Sequence, residues 1–148
     1  MTKMWKRLNS EIVRAEDSGK SIKIFHYSQH EFRWWKTYAN RYAGRAGVPT
    51  LDELEIFKAN YLVDLYPYAE KWAFPAKSYS IKDLAPLAKF DWSVEMAGGA
   101  NSLFKYRDAI NRQLDKTICD DAIKWLDAYN RDDVKATLAV RDYIRSLY

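Results

Sequence analysis

The sequence predicts an α/β fold, and three stretches of the chain carry that prediction. Residues 22–27 are β-branched and aromatic enough for a buried strand. Residues 29–43 then place apolar side chains at helical spacing, so a strand leads directly into a helix. The last third of the chain repeats apolar residues at alternating intervals of three and four, which is typical of one face of a helix.

Length and composition favour one folded unit. The 148 residues match the usual size of a single domain, and 48% hydrophobic with 30% charged residues excludes a disordered chain. The single cysteine, Cys119, cannot form an intrachain disulfide and is expected to act as a small hydrophobic residue. No secretion signal follows Met1 and no apolar run is long enough to span a bilayer. We therefore expect one cytoplasmic domain over residues 1–148, with no membrane contact.

Local signals place further elements in the first half of the chain. Residues 4–17 predict an amphipathic helix that stops at Ser18 and Gly19. Thr50 is placed to cap a short helix, and residues 61–66 form a second strand candidate.

In the second half, Ser80 and Asp83 resemble a capping box with Asp in place of Glu, and Pro86 should keep that helix short. Asn101 or Ser102 is expected to cap the next helix.

Asp133 lies in the middle of the apolar stripe of the last helix, one turn after Tyr129. A carboxylate that faces a core is costly unless it is paired, hydrogen-bonded or bound to a metal. The alternative is that the helix breaks near Asn130, which would make Asp133 a solvated residue at the start of the next helix.

Four blocks of the sequence resemble successive blocks of one nuclease group. Tyr129 and Asp133 match the Tyr-x-x-x-Asp motif of the DEDDy exonucleases of the RNase H-like superfamily. The other three blocks are HYSQHE at 26–31, LVDLY at 62–66 and SYSIKDL at 78–84. Together they resemble the RNase H-like domain of RecB-like nucleases, the YprB-like group, over residues 20–147.

The resemblance implies an RNase H-like fold and 3′–5′ exonuclease-like hydrolysis of phosphodiesters, with DNA as the expected substrate. Two divalent cations, Mg²⁺ or Mn²⁺, would be held by clustered carboxylates. Glu31 and Asp133 match two of the metal-binding acids, and Tyr129 matches the tyrosine that orients the attacking water.

The family's first strand, which carries an Asp-x-Glu pair, has no counterpart before residue 20, where the only acids are Glu11, Glu16 and Asp17. We therefore expect an N-terminally incomplete fold, with helices packed on a small remnant sheet and too few acids for activity. The alternative function is a non-catalytic module that binds nucleic acid or a protein partner. A second copy or a longer parent chain could make contact through the exposed sheet edge at residues 22–27.

Other candidate residues have more than one interpretation. Asp64 either approaches a metal or substrate or, as we favour, caps the helix after it. His26 and His30 have a metal-ligand spacing, but a strand end separates them. The net charge of +4 and the basic residues 23, 33, 36, 41 and 45 suit phosphate contacts, and they equally suit a solvated face.

Overall fold

A computed structural model describes residues 2–71 and 76–147 of the chain. These residues form seven helices and one parallel sheet of two strands. The chain divides into two compact units, residues 1–74 and 75–148, and each is described by itself. The single domain expected over residues 1–148 stays a prediction. No helix among the described residues is both long and apolar enough to cross a membrane.

The first unit alternates helices with two short strands. Its elements are α1 (Thr2–Asp17), β1 (Ile24–His26), α2 (His30–Arg41), α3 (Leu51–Tyr61), β2 (Leu62–Asp64) and α4 (Tyr66–Lys71). Strands β1 and β2 run parallel, with Ile24 opposite Leu62 and His26 opposite Asp64. Both predicted strands are confirmed, although each is only three residues long. Helix α4 follows Asp64, where a helix capped by that residue was expected without bounds.

Two of the predicted helix signals act as expected in this unit. Gly19 follows α1 with a φ of +67°, a left-handed conformation that glycine adopts readily. Thr50 accepts a hydrogen bond from the Glu53 backbone N–H, and the Glu53 carboxylate accepts one from the Thr50 N–H. This reciprocal capping box fixes the start of α3.

The core of the first unit lies between α2 and α3. Phe32, Ala39 and Leu54 are buried there, with Trp5 and Trp35 among the half-buried side chains that pack against them. The ring of Phe57 extends this cluster at 5.0 Å from Trp5 and 5.7 Å from Trp35. One face of α2 is therefore committed to the core.

The second unit contains α5 (Ile81–Leu84), α6 (Gly99–Ile110) and α7 (Lys116–Ser146). The Ser80 hydroxyl accepts from the Asp83 N–H, which confirms the predicted cap of α5. The expected cap of α6 at Asn101 or Ser102 is wrong, because the helix begins earlier, at Gly98–Gly99.

Helix α7 continues for 31 residues without a break near Asn130, so the alternative with two separate helices is wrong. Its buried positions are Ala122, Tyr129, Asp132, Ala136, Val140 and Ile144. Leu84 and Ala85 of the α5 segment are buried in the same unit. Ile118 and Leu147 continue the apolar spacing of this segment at its two ends, but they are 49% and 47% exposed.

Candidate functional site

Asp133 projects from the middle of α7 into a polar cluster of the second unit. Its Oδ1 atom accepts a hydrogen bond from the indole N–H of Trp92 at 2.8 Å and another from the Lys82 ammonium at 3.3 Å. The side chain is 38% exposed. The carboxylate is therefore paired by the protein itself while still in reach of solvent.

Lys82 lies against two aromatic rings as well as against Asp133. Its Nζ atom is 3.3 Å from the centre of the Trp92 ring and 4.6 Å from the centre of the Tyr129 ring. Such cation–π contacts attract the ammonium to the ring faces. Partial burial lowers the pKa of Lys82, and the negative charge of Asp133 opposes that shift. The ammonium is thus held by three partners.

Tyr129 is the buried partner of this cluster, with 8% of its surface exposed. Its ring stacks on Trp125 with centroids 5.1 Å apart and planes 10° from parallel. Burial raises the pKa of Tyr129 to about 12, and both the charge of Asp133 and a hydrogen bond with it contribute. The hydroxyl therefore stays protonated at neutral pH and is a hydrogen-bond donor to a carboxylate or a water.

Asp132, and not Asp133, is the deeply buried acid of α7, with 3% of its surface exposed. It accepts hydrogen bonds from the N–H and hydroxyl of Ser93 at 2.7 and 2.6 Å. Those bonds, with Lys135 at 3.4 Å, lower the pKa of Asp132. The spacing of Asp132 four residues before Ala136 could have indicated this burial, because positions four apart share a helix face.

Glu31 belongs to the first unit and lies in the first turn of α2. Its side chain is exposed and lines an open groove of about 780 Å³ that also includes Trp34, Tyr38 and Arg45. The structure thus brings Tyr129 and Asp133 together within one unit. The approach of Glu31 to Asp133 stays a prediction.

Asp64 connects the ends of the two strands. Its Oδ1 atom accepts from the Tyr66 N–H at 3.0 Å, at the start of α4, as predicted for a capping residue. The same atom accepts from the Ser28 N–H at 2.8 Å, where Ser28 has a φ of +66°. These two bonds stabilise a left-handed turn directly after β1.

The two histidines have separate partners. His26 Nδ1 lies 2.7 Å from the carbonyl oxygen of Ser28, whereas His30 Nε2 accepts from the indole N–H of Trp34 at 3.1 Å.

The donor set of the described residues does not fit a resident metal. Within residues 2–71 and 76–147, no three or more His, Cys, Asp or Glu side chains are grouped so that they could hold an ion. One or two carboxylates together with substrate phosphates normally hold catalytic Mg²⁺, and here the Asp133 carboxylate already contacts an ammonium. That ammonium would repel a second cation at the same oxygen.

A family model of the RNase H superfamily matches residues 2–145, nearly the whole chain. The chain belongs to the RNase H superfamily. The match spans both compact units and includes Glu31, Tyr129 and Asp133. No curated protein and no solved structure matches the chain.

Membership of the RNase H superfamily confirms the expected fold family at the coarse level, in agreement with the mixture of helices and a small parallel sheet. It also suggests a nuclease-like function, and nucleases of the superfamily generally use divalent metals and bind nucleic acids.

Lys82, Trp92 and Ser93 were not predicted as site residues. Lys82 lies in the SYSIKDL block, which was a usable signal. Trp92 and Ser93 lie in a loop between α5 and α6, and nothing in their spacing indicates that they face α7.

Proposed function

We propose that this chain is a DNA-processing nuclease domain of the YprB-like, DEDDy type, which hydrolyses phosphodiester bonds in the 3′–5′ direction when its acidic site is complete. The observation that carries the proposal is the pairing of Tyr129 and Asp133, one turn apart on α7. Burial and the charge of Asp133 raise the pKa of Tyr129, so its hydroxyl remains protonated, as a water-orienting hydroxyl requires.

With further acids to complete the set, Glu31 and Asp133 would each supply a carboxylate toward Mg²⁺ or Mn²⁺. The divalent cations would supply positive charge to the oxygens of the phosphodiester. Tyr129 acts only through its hydroxyl, which orients a water or the carboxylate. Arg33 and the other basic side chains of α2 suit the phosphate backbone of DNA near Glu31.

We further propose that residues 1–148 alone do not cleave DNA at a useful rate. The sequence contains no Asp-x-Glu pair, so the site needs acids beyond Glu31 and Asp133. The contact of Lys82 with Asp133 supports the same proposal, because an ammonium already neutralises one of the two available carboxylates.

The experiment compares two proteins on end-labelled single-stranded and double-stranded DNA in Mn²⁺ and in Mg²⁺. One is the 148-residue chain, and the other is the same chain fused behind a strand that bears Asp-x-Glu. We expect the labelled DNA to become shorter only with the fused protein. In that protein Asp133→Asn should abolish cleavage and Tyr129→Phe should slow it, since the first removes a ligand and the second a hydroxyl.

Asp127→Asn is the matched control, because Asp127 is an exposed acid on the same helix. It should leave cleavage unchanged. Robust digestion by the 148-residue chain, lost on Asp133→Asn, would contradict the proposed inactivity and would assign the missing acids to this chain, with Asp64 and Asp132 as the first to substitute.

A second candidate function is a non-catalytic module that binds nucleic acid or a protein. The observation that favours it is the complete set of protein partners around Asp133: Lys82, Trp92 and Tyr129. If the fused protein binds DNA but never cleaves it in any divalent metal, this second function replaces the first.

The sheet edge is the proposed route to a further partner. Each described strand pairs with only one neighbour, so β1 and β2 each have an edge with no described strand beside it. Such edges favour pairing with another strand. We propose that a second copy or a parent-chain strand pairs there. Light scattering that finds only monomer, with the β1 amides exchanging freely, would contradict this.

A further inference from the structure

Helix α2 carries aromatic residues on two different faces. Phe32, Trp35 and Ala39 face the core of the first unit. A second row, which we call the aromatic ladder, consists of His30, Trp34 and Tyr38 of the helix and Tyr42 at its C-terminal cap, at intervals of four residues. Positions four apart lie one above the other on a helix. Because the core uses the other face, the packing between α2 and α3 does not explain why these positions are aromatic.

The ladder is open to solvent. Trp34 is 50% exposed and Tyr38 is 40% exposed, and both line the groove of about 780 Å³ beside α2. Large aromatic side chains are normally buried for most of their surface, so packing within the unit does not explain two neighbours at this exposure.

The rings of the ladder hold one another in place. The centroid of Trp34 lies 6.0 Å from that of Tyr38, and Tyr38 and Tyr42 are stacked at 6.4 Å with planes 6° from parallel. At one end the indole N–H of Trp34 donates to His30, and at the other the Arg45 guanidinium lies 5.0 Å from the Tyr42 ring centre. The ladder therefore needs little reordering when a flat ligand binds, which favours affinity.

Arginines border the ladder. Arg33 and Arg41 each precede a ladder residue by one position, so they form the adjacent row on the helix, and Arg45 lies at its end. None of these three forms an ion pair with a carboxylate in the described parts of the chain, whereas Lys36 pairs with Glu55. Glu31 is the one acid among the described residues that line the groove.

We propose that the aromatic ladder is a stacking platform for the bases of single-stranded nucleic acid, with phosphates along the Arg33 and Arg41 row. Every base has a π-face, so rings accept single strands of any sequence, and arginines neutralise the backbone. A duplex fits less well, because its bases are already stacked inside the helix. The inference rests on the proposed function in one respect: the strand bound here is the substrate strand, and it leads toward Glu31.

The test measures binding without hydrolysis. The 148-residue chain, in EDTA, is titrated into fluorescein-labelled oligothymidine and followed by fluorescence anisotropy. We expect Trp34→Ala and Tyr38→Ala each to weaken binding by about tenfold, as for loss of one stacked base. Trp34→Phe, which keeps a ring, should recover most of the affinity. Arg41→Gln should lower the slope of log affinity against log salt by about one.

Tyr68→Ala is the matched control, because Tyr68 is 48% exposed in the same unit but lies outside the groove. It should bind like the parent chain. Circular dichroism and urea unfolding of each variant exclude loss of fold as the cause. A competing duplex of the same length should displace the oligothymidine poorly.

Three outcomes would overturn the inference. These are no binding by the parent chain, an equal loss for Tyr68→Ala, or a ladder substitution that changes self-association but not DNA binding. The last would make the ladder a contact between copies. The result is separable from the proposed hydrolysis. If Trp34→Ala changes neither DNA binding nor cleavage by the fused protein, only the proposed role of the ladder is contradicted. Binding through the ladder without cleavage in any metal would remove only the hydrolysis.

Discussion

The Nζ atom of Lys82 lies 3.3 Å from Oδ1 of Asp133 and also 3.3 Å from the centre of the Trp92 ring. One ammonium thus joins an acid of α7 to an aromatic residue of the loop before α6. The side chains of Lys82 and Asp133 are 30% and 38% exposed, so their ion pair itself should add about 1 kcal/mol or less to the free energy of unfolding. Its larger effect is on the charge that Asp133 presents to a cation.

Replacing Lys82 tests that effect. Lys82→Met keeps most of the apolar stem over the Trp92 ring but removes the charge. We expect Mn²⁺ affinity to rise by about tenfold, since the positive charge that repels the metal ion from the carboxylate is lost. Electron paramagnetic resonance of the free aquo ion measures it. Lys135→Met, which removes the partner of Asp132, should leave the affinity unchanged. Equal affinities in all three proteins would argue against Asp133 as a cation ligand.

Asp132 should prove more important for stability than any other acid of α7. Asp132→Ala leaves the N–H and hydroxyl of Ser93 without their acceptor. We expect a fall of several degrees in the melting temperature, followed by circular dichroism. Asp127→Ala, at an exposed position of the same helix, serves for comparison and should melt within about one degree of the parent chain. Similar melting temperatures for both variants would mean that the hydrogen bonds from Ser93 to Asp132 do not contribute to stability.

Leu54 is fully buried in the core of the first unit, where it contacts the cluster of Phe32 and Ala39. Leu54→Ala should lower the free energy of unfolding by about 3 kcal/mol, because it removes apolar contact and leaves a cavity. Urea unfolding followed by tryptophan fluorescence measures this. Ile56→Ala on the same helix removes a side chain that is 62% exposed and should cost less than about 1 kcal/mol. A small loss for both would contradict the core described here.

The capping box at Thr50 predicts a dependence on pH. The Thr50 backbone N–H and hydroxyl hold the pKa of Glu53 below its ordinary value of 4.5. A lowered pKa in the folded state means that the contribution is present above pH 4.5 and is lost as the pH falls through the folded pKa. Thr50→Ala should therefore cost about 1 kcal/mol at neutral pH, with a smaller difference in acid.

Urea titrations at pH 7 and at acidic pH measure that difference between the two proteins. Thr37→Ala is the control, because Thr37 lies inside α2 and Ala is the better helix former there. A cost for Thr50→Ala that is the same at both pH values would mean that the hydrogen bond from the Thr50 hydroxyl to Glu53 does not contribute to the cap.

Local signals in the sequence predicted the elements well where one residue type has one physical role. Thr50, and Ser80 with Asp83, mark helix starts because the Thr and Ser side chains bond the first free N–H groups. The cap of α6 was missed because Asn101 and Ser102 are better capping types than Gly98, yet the helix starts at the glycine. Strand bounds were too wide, because residues that favour strands, such as Ile22, Tyr27 and Tyr61, lie beyond the three positions that actually pair.

The site was harder to predict because it depends on contacts between distant segments. Helix periodicity placed Tyr129 and Asp133 on neighbouring turns, and this is confirmed. Periodicity alone could not decide which of two adjacent acids is buried, since a rotation of one residue exchanges Asp132 and Asp133. The Ser93 donors decide it, and they lie 39 residues earlier in the chain.

Helix α7 continues unbroken through 31 residues, so the directions of its side chains at the two ends are fixed relative to each other. Each residue rotates the side-chain direction about the helix axis by about 100°. Deleting a single residue between Tyr129 and Val140 would turn the buried positions Val140 and Ile144 by that angle relative to Tyr129, even though no side chain had been altered. The Tyr129 hydroxyl, the carboxylates and the packing surface therefore keep their relative directions only while the number of residues between them stays the same. An insertion or deletion in this segment should be far more damaging than a substitution.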